Sequence, residues 1–354
     1  AMQRVPGAWI SRGNGQESLT ALRSPVLTGA GSCGAFFMAA DSISLRAPGF
    51  CNVNQLFDAN TEQAGKIEVI KGPATALYGS NAMHGVINVL SAAPTAGLDH
   101  SLALEAGPDD YYRAKYHYRN TTGPHGISIN ANGVTDGGYK DDSGYDQQKI
   151  TLRHDYDGQL WNVRTVLDAA NLNQETAGFV QGYEAYKVGS LRKYNPNPEA
   201  YRDAWSVRLY SAATRELGDK HSLTLTPYFR DNDMEFLMHF LPWKPTEENG
   251  HSSLGLKTVL HSDMGSMTWA NGLDFEYTDA MLKETQEEEW VSNNQPAGVH
   301  YNYRVDAISA GAFSQLRSQW QSPWELSAGL RLEHTYYDYD NRTGDGDACV
   351  PEAK

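Results

Sequence analysis

The sequence predicts a mostly β chain in two parts, a small mixed domain over residues 1–97 and a series of antiparallel strands over residues 98–354. Three observations lead to this prediction. Up to about residue 97, short apolar segments are interrupted by glycine-rich turns. Beyond that point, longer segments alternate strictly between apolar and polar residues, which is the period of a β-strand. The connections between these segments are in turn alternately short and long.

The first part is built around residues 66–91. Residues 67–70 form a short, mostly apolar strand, and Gly72-Pro73 ends it because proline fixes φ and glycine permits a sharp turn. Residues 74–78 can form a single helical turn, and residues 86–90 form a second apolar strand. The stretch therefore predicts a compact strand–turn–strand unit, and it contains neither a phosphate-binding loop nor a dinucleotide-binding turn.

The second part has eleven predicted strands, starting near residues 101, 110, 125, 147, 159, 203, 220, 251, 266, 303 and 323. In the last of these, Trp324, Leu326 and Leu330 share one face, and Glu325 and Arg331 share the other. A soluble sandwich would also alternate in this way. The runs are long and the apolar face often ends in Trp or Tyr, which favours strands that cross a membrane as a barrel.

The connection lengths give independent support for a barrel. Connections after even-numbered strands are short, for example residues 156–159 and 217–221, whereas those after odd-numbered strands from the third onward are long, for example residues 174–201 and 283–300. Transmembrane barrels have short turns at one end and long loops at the other. A soluble sandwich has no reason to sort its connections by parity.

Composition and motifs exclude several classes of function. The formal net charge of −14 argues against a nucleic-acid binder, which would need a basic face. The histidines have no zinc-site spacing, and the paired carboxylates Asp109-Asp110 and Asp141-Asp142 lie in polar turns. No nucleophile–base–acid set is visible. We therefore expect no enzyme activity, no catalytic residues, no metal site and no cofactor.

Four short motifs in residues 66–91 carry a family resemblance. They are Ile67-Glu68-Val69, Lys71-Gly72-Pro73, Leu77-Tyr78-Gly79 and Gly85-Val86-Ile87-Asn88. In this order and without gaps they closely resemble the end of the plug domain of TonB-dependent outer-membrane receptors. The resemblance implies a plug inside a barrel of about 22 strands, so that the eleven predicted strands are the first half of it.

The resemblance also implies a function and a location. Members of this family lie in the outer membrane of Gram-negative bacteria, in contact with its lipid, and import scarce extracellular nutrients such as ferric siderophores or other metal chelates. A TonB-type protein transmits the energy for import. The family's energy-coupling box and the second half of a barrel are expected to lie beyond this sequence. A secreted all-β adhesin or ligand-binding module, which would be soluble without detergent, is the alternative.

In the plug family, apical loops touch the ligand, and the resemblance assigns that position to residues 14–17, 28–33 and 46–51. The expected plug contacts are Asn14, Gln16, Arg46 and Phe50. Pro48 and Gly49 would form a tight turn that presents Phe50, and Arg46 could pair with an anionic chelate. In the alternative, Phe50 packs against the barrel wall and Arg46 pairs with lumen carboxylates such as that of Glu333.

The long connections carry aromatic residues, of which Phe179, Trp243 and Trp290 are expected to contact the ligand. Packing of these loops on themselves, or a ring of aromatic residues at the membrane interface, is the alternative. Cys33 and Cys51 lie in turn-like contexts, and in an exported protein we expect them to form a disulfide. Cys349 is left without a partner in the sequence.

Overall fold

The structure, a computed structural model, describes residues 4–25, 35–47, 49–50, 54–291, 295–318 and 324–344. Its first two strands, β1 (Ala8–Arg12) and β2 (Ser18–Leu22), form an antiparallel hairpin. The backbone N–H of Glu17 donates to the carbonyl oxygen of Asn14 at 3.0 Å and closes the turn. This hairpin presents residues 13–17 at its tip.

A four-stranded mixed sheet follows the hairpin. It consists of β3 (Phe37–Ala40), β4 (Ile43–Ser44), β5 (Lys66–Lys71) and β6 (Gly85–Leu90), in the order β4-β3-β6-β5. Strands β5 and β6 are antiparallel and are separated by the short helix α1 (Thr75–Tyr78). The strand–turn–strand unit predicted for residues 66–91 is therefore present, and β3 pairs with it in parallel.

The core of this first domain lies under the four-stranded sheet. Its buried members are Leu22, Phe36, Met38, Ala40, Leu45, Ala59, Ile87 and Val89. Two short 3₁₀ turns, Gln55–Asp58 and Thr61–Gln63, connect β4 to β5. The sequence analysis did not predict these turns, because each is shorter than the window in which helical periodicity can be recognised.

The rest of the described chain forms one antiparallel sheet of eleven strands in sequential order. The strands are β7 (Asp99–Ala106), β8 (Tyr112–Thr122), β9 (His125–Asp136), β10 (Tyr145–Asp157), β11 (Asn162–Glu175), β12 (Tyr201–Glu216), β13 (His221–Leu237), β14 (Thr246–Asp263), β15 (Met267–Gln286), β16 (Gly298–Ser318) and β17 (Ser327–Asn341). The predicted fold class, a small mixed domain followed by about eleven antiparallel barrel strands, is confirmed.

The connections sort by length as predicted. Residues 123–124, 158–161, 217–220 and 264–266 join strands at one end of the sheet, and residues 137–144, 176–200, 238–245 and 287–297 join them at the other. We call the second end the long-loop end. Its longest connection contains a 3₁₀ turn, Ala185–Lys187, and a short helix, α2 (Gly189–Arg192). The predicted short connection at residues 319–323 lies outside the described residues.

Several strands extend further towards the long-loop end than the sequence indicated. Strand β14 begins at Thr246 rather than near residue 251, and β16 begins at Gly298 rather than near residue 303. The extra residues of β14 are polar on both faces, as in Glu247 and Glu248. Alternation of apolar and polar residues, which located the strands in the sequence, is therefore absent there.

The two faces of the large sheet differ in chemistry. Charged side chains such as those of Arg208 and Arg331 lie on the face that the first domain contacts. Leucines are exposed on the opposite face, where six of them are between 61% and 75% exposed: Leu102, Leu104, Leu254, Leu273, Leu330 and Leu332. Within the described residues, no helix is both long and apolar enough to cross a membrane.

Candidate functional site

Five cationic side chains of the large sheet hold the first domain through its backbone. We call these residues the cationic row: Lys149, Arg153, Arg208, Arg230 and Lys257. They donate to the carbonyl oxygens of Ala59, Ser91, Asp58, Ser44 and Ser42 at 3.0, 3.0, 2.8, 2.8 and 2.7 Å respectively. These carbonyls lie at or near the ends of strands and turns, and that of Ala59 also accepts from the Thr61 N–H at 2.9 Å. The row therefore supplies hydrogen-bond donors to backbone carbonyl oxygens of the first domain. A buried carbonyl oxygen that lacks a donor destabilises the folded state.

The tip of the β1–β2 hairpin contacts the long-loop end of the sheet. Asn14 donates through Nδ2 to the carbonyl oxygens of Ser143 and Glu175, at 3.2 and 2.9 Å. The backbone N–H of Gln16 donates to Oε1 of Gln174 at 2.7 Å. Asn14 and Gln16, the two predicted ligand contacts in this loop, thus have hydrogen-bond partners at the long-loop end of the sheet. Both also line a cavity of about 870 Å³ between the hairpin and β8–β10.

A cavity of about 470 Å³ lies between the first domain and the long-loop end of β12–β17. We call it the outer cavity. Its floor includes Phe50 and Asp58, and its wall includes Glu247 and Leu282. Three tyrosines, Tyr303, Tyr337 and Tyr339, complete the aromatic part of the wall. Its volume is within the range of small-molecule sites, and it combines apolar surface with a few polar groups, as such sites do.

Another cavity of about 570 Å³ lies further from the long loops than the outer cavity does, and we call it the inner cavity. It is lined by cations and carboxylates, namely Arg46, Lys257, Asp274, Glu276, Arg331 and Glu333. Several of these are already paired, since Arg331 contacts Asp274 at 2.6 Å and Glu333 at 2.7 Å. The Oγ of Ser80, at the tip of the strand–turn–strand unit, donates to Glu333 at 2.5 Å. The inner cavity is therefore an ion-paired interface between the two domains.

Gly49, Phe50 and Tyr337 line both cavities and separate them. A Cβ at Gly49 would lie 3.2 Å from the Tyr337 ring, and the backbone there has a φ of +82°. Glycine therefore allows the loop to approach this ring without strain. The Phe50 ring lies 6.1 Å from the His251 ring of β14, between centroids.

His251 is 6% exposed and joins the wall of the outer cavity to the loop that carries Phe50. Its Nε2 accepts from the Ala47 N–H at 3.3 Å and from Asn232 Nδ2 at 3.2 Å. The backbone N–H of His251 donates to Asn232 Oδ1 at 3.2 Å, which fixes the orientation of that amide. Two donors at Nε2 require the ring proton to be on Nδ1. Nδ1 has no hydrogen-bond partner among the described residues.

Burial shifts two ionisable groups of the first domain. Asp58 is 5% exposed, and desolvation raises the pKa of its carboxyl to about 6, against the opposing effects of nearby Arg208 and Lys149. Desolvation lowers the pKa of Arg46 to about 10, which leaves its guanidinium protonated at neutral pH. Arg46 is thus a buried cation of the inner cavity.

The predicted site residues are only partly brought together. Phe50 lines the outer and the inner cavity, Arg46 lines the inner one, and the two hairpin residues line the separate 870 Å³ cavity. Phe179, Trp243 and Trp290 lie in the long connections and line none of these three cavities. Phe179 is 81% exposed and Trp290 is 39% exposed. Whether these residues contact a ligand stays a prediction.

The predicted disulfide between Cys33 and Cys51, like Cys349, lies outside the described residues. It stays a prediction that mass spectrometry of unreduced protein would test. Two free thiols in protein exported to the periplasm would contradict it. In the part of the chain that the structure describes, no group of three or more His, Cys, Asp or Glu side chains is arranged to hold a metal ion.

Sequence reasoning selected Phe50 but missed the strand residues that line the outer cavity. Glu247, His251 and Tyr303 lie on inward-facing positions of strands, one residue inside the end near the long loops for Glu247 and five residues inside it for His251 and Tyr303. For His251 and Tyr303, alternation with outward-facing residues was a usable signal. The sequence alone does not show which of many inward positions lie opposite the first domain.

A family model and curated relatives give a consistent classification. Residues 1–86 match the TonB-dependent receptor plug domain. The chain is 29% identical over 161 residues to the vitamin B12 transporter BtuB of Vibrio vulnificus strain CMCP6, covering 45% of this chain and 25% of the transporter. It is 23% identical over 315 residues to the BtuB of strain YJ016, covering 79% and 46%. The chain thus spans less than half the length of these relatives.

Solved structures share the fold at low identity. The unliganded ferric citrate transporter FecA superimposes with a TM-score of 0.77 at 14% identity, over 96% of this chain and 54% of FecA. The ferripyoverdine receptor of the Pseudomonas aeruginosa outer membrane gives 0.75 at 12% identity, over 97% and 50%. The copper transporter OprC gives 0.71 at 14% identity, over 97% and 52%. Residues 1–86 thus match the plug domain of TonB-dependent receptors, and the chain shares its fold with these solved receptors and transporters.

Proposed function

We propose that this chain supplies the plug, residues 1–97, and barrel strands, residues 98–354, of a receptor that imports a scarce nutrient across the outer membrane of a Gram-negative bacterium. The nutrient is a metal chelate, such as a ferric siderophore, or a vitamin B12-type corrinoid. A TonB-type protein supplies the energy. The protein acts by binding and release and catalyses no reaction.

One observation carries this proposal, namely the seating of the plug against the polar face of the sheet. Every member of the cationic row donates to a backbone carbonyl of the plug, and Lys149 also pairs with the Glu62 carboxylate at 3.2 Å, while the leucine-rich face points away from the plug. A polar face turned to a plug and an apolar face turned outward suit a barrel in lipid. The same arrangement would leave an adhesin in water with a large exposed apolar surface.

The ligand in this proposal binds between the plug and the long loops. The outer cavity lies there, and its residues come from both the plug and the sheet, so movement of the plug would change the site. Because Phe50 lines the outer cavity and contacts His251, occupancy of the cavity can affect the loop that begins at Ala47. This connection links ligand binding to the plug.

Uptake by whole cells tests the proposal. Cells that express the complete receptor, and matched cells with an empty vector, are given radiolabelled cyanocobalamin and a panel of radiolabelled ferric chelates. Expression should add surface binding and accumulation of one of these nutrients, and removal of the TonB-type protein should abolish accumulation but preserve binding. Accumulation that does not depend on the TonB-type protein, or a receptor that is soluble without detergent, would contradict it.

A further inference from the structure

The wall of the outer cavity has an unusual charge balance for a site that would take an anionic chelate. Acidic residues line it at Asp58, Asp233 and Glu247, whereas no Lys or Arg lines the cavity within the described residues. The described residues of the cavity therefore offer an anion no counter-charge.

The nearest cations of the sheet are committed to other partners. Arg208 donates to the Asp58 carbonyl oxygen at 2.8 Å, and Arg230 donates to the Ser44 carbonyl oxygen at 2.8 Å. Arg202 contacts the Glu17 carboxylate at 3.0 Å, and its guanidinium lies 4.3 Å from the centre of the Phe236 ring. Turning any of them into the cavity would break a buried contact, which costs more than an exposed ion pair returns.

The remaining wall favours uncharged or positively charged surfaces. The rings of Tyr303 and Tyr339 lie 5.1 Å apart, and the faces of such rings attract cations and repel anions. The carboxylate of Glu247 accepts from Asn249 Nδ2 at 2.7 Å, which holds it at the wall. The unpaired Nδ1–H of His251 is a buried donor beside the cavity, and a carbonyl of a ligand could satisfy it after a small shift of the Phe50 loop.

We propose that the outer cavity selects ligands whose inserted face is uncharged or cationic, rich in amides or amines, and rejects polyanionic faces, with Glu247 as the residue that sets this selectivity. The inference rests on the proposed receptor function and narrows its ligand class. It differs from the expectation that Arg46 grips an anionic chelate, since Arg46 lines the inner cavity. A desolvated anion beside Glu247 would meet repulsion with no compensating charge.

Charged thiol reagents test the potential inside the cavity without knowledge of the ligand. Leu282→Cys places a thiol in the wall, and Tyr183→Cys, at a side chain that is 95% exposed, is the reference. Outer membranes that contain the complete receptor are treated with methanethiosulfonate reagents carrying trimethylammonium or sulfonate. Rates of labelling are corrected for the parent protein, which contains the native cysteines.

The ratio of cationic to anionic labelling rates should be about tenfold higher at Leu282→Cys than at Tyr183→Cys. Adding Glu247→Gln should bring the ratio at Leu282→Cys to within about threefold of the reference, with the Tyr183→Cys rates unchanged as a check on folding. Equal ratios at both sites, faster anionic labelling, or no labelling of Leu282→Cys by either reagent would overturn the proposal. Uptake is measured separately, so failure here does not depend on the receptor function itself.

Discussion

Replacing Arg230 should destabilise the protein more than any substitution at an exposed cation. Arg230 is 1% exposed. It donates through Nη1 to the Ser44 carbonyl oxygen at 2.8 Å, through Nη2 to the Glu276 carboxylate, and to Ser253 Oγ at 3.2 Å. Arg230→Met keeps an unbranched stem but leaves the Glu276 carboxylate, whose side chain is 12% exposed, without its cation, which costs about 3–5 kcal/mol. The lost bond to the plug adds about 1 kcal/mol.

A double-mutant cycle separates the ion pair from the loss of packing. Arg230→Met leaves the Glu276 carboxylate without a cation, and Glu276→Gln removes that negative charge. The loss of unfolding free energy in the double variant should therefore be about 2 kcal/mol smaller than the sum of the losses in the two single variants. The free energy of unfolding is measured with urea for the receptor in lipid vesicles, after refolding has shown the transition to be reversible. Hydrogen exchange of residues 43–47 reports the plug side of the same contact.

The exposed pair of Arg304 and Asp279 is the matched control. Its atoms are 3.8 Å apart, and Arg304 is about half exposed. Arg304→Met should change the free energy of unfolding by no more than about 0.5 kcal/mol. The reasoning is refuted if Arg230→Met costs no more than this control, or if the cycle is additive to within about 0.5 kcal/mol.

Three further predictions concern the plug. Because the pKa of Asp58 is raised to about 6, the folded state keeps a proton that the unfolded chain loses, so stability should fall by about 3 kcal/mol as pH rises from about 4 to above 6; Asp58→Asn should remove this part of the pH dependence in urea titrations. Gly85→Ala puts a Cβ 2.1 Å from a backbone oxygen at a φ of +152° and should cost about 3 kcal/mol, whereas Gly133→Ala, with nothing within 4 Å, should cost less than about 0.5 kcal/mol. Lys149→Met removes the donor to the Ala59 carbonyl oxygen, so amide hydrogens of residues 54–63 should exchange about tenfold faster; unchanged exchange would contradict the assigned contact.

The barrel strands were predictable because each strand repeats one simple pattern. Alternation and the parity of the connections recovered eleven strands, with the largest errors at the starts of β14 and β16. The strand–turn–strand unit of the plug was recognisable because Gly72-Pro73 and Gly85 fix its turns. These signals are local, so they are present in the sequence itself.

The candidate site was less predictable because it depends on which strand lies opposite which plug loop. Phe50 was selected from the turn that presents it, and the structure puts it against His251. That contact joins residues about two hundred positions apart, and no local pattern encodes it. Arg46 illustrates the converse, since a residue type suited to anions was selected although the fold buries it among the ion pairs of the inner cavity.

Recognition of the plug through its carbonyl groups has a consequence for sequence change. A carbonyl oxygen is the same for every residue type, so substitutions at Ser42, Ser44 or Ala59 leave the acceptors of the cationic row in place. Insertion or deletion of one residue between these positions would instead move every later acceptor out of reach of its cation. The contacts between the plug and the cationic row therefore tolerate changes in composition but not changes in length. Related chains can diversify the side chains around the plug while the path of its backbone stays fixed.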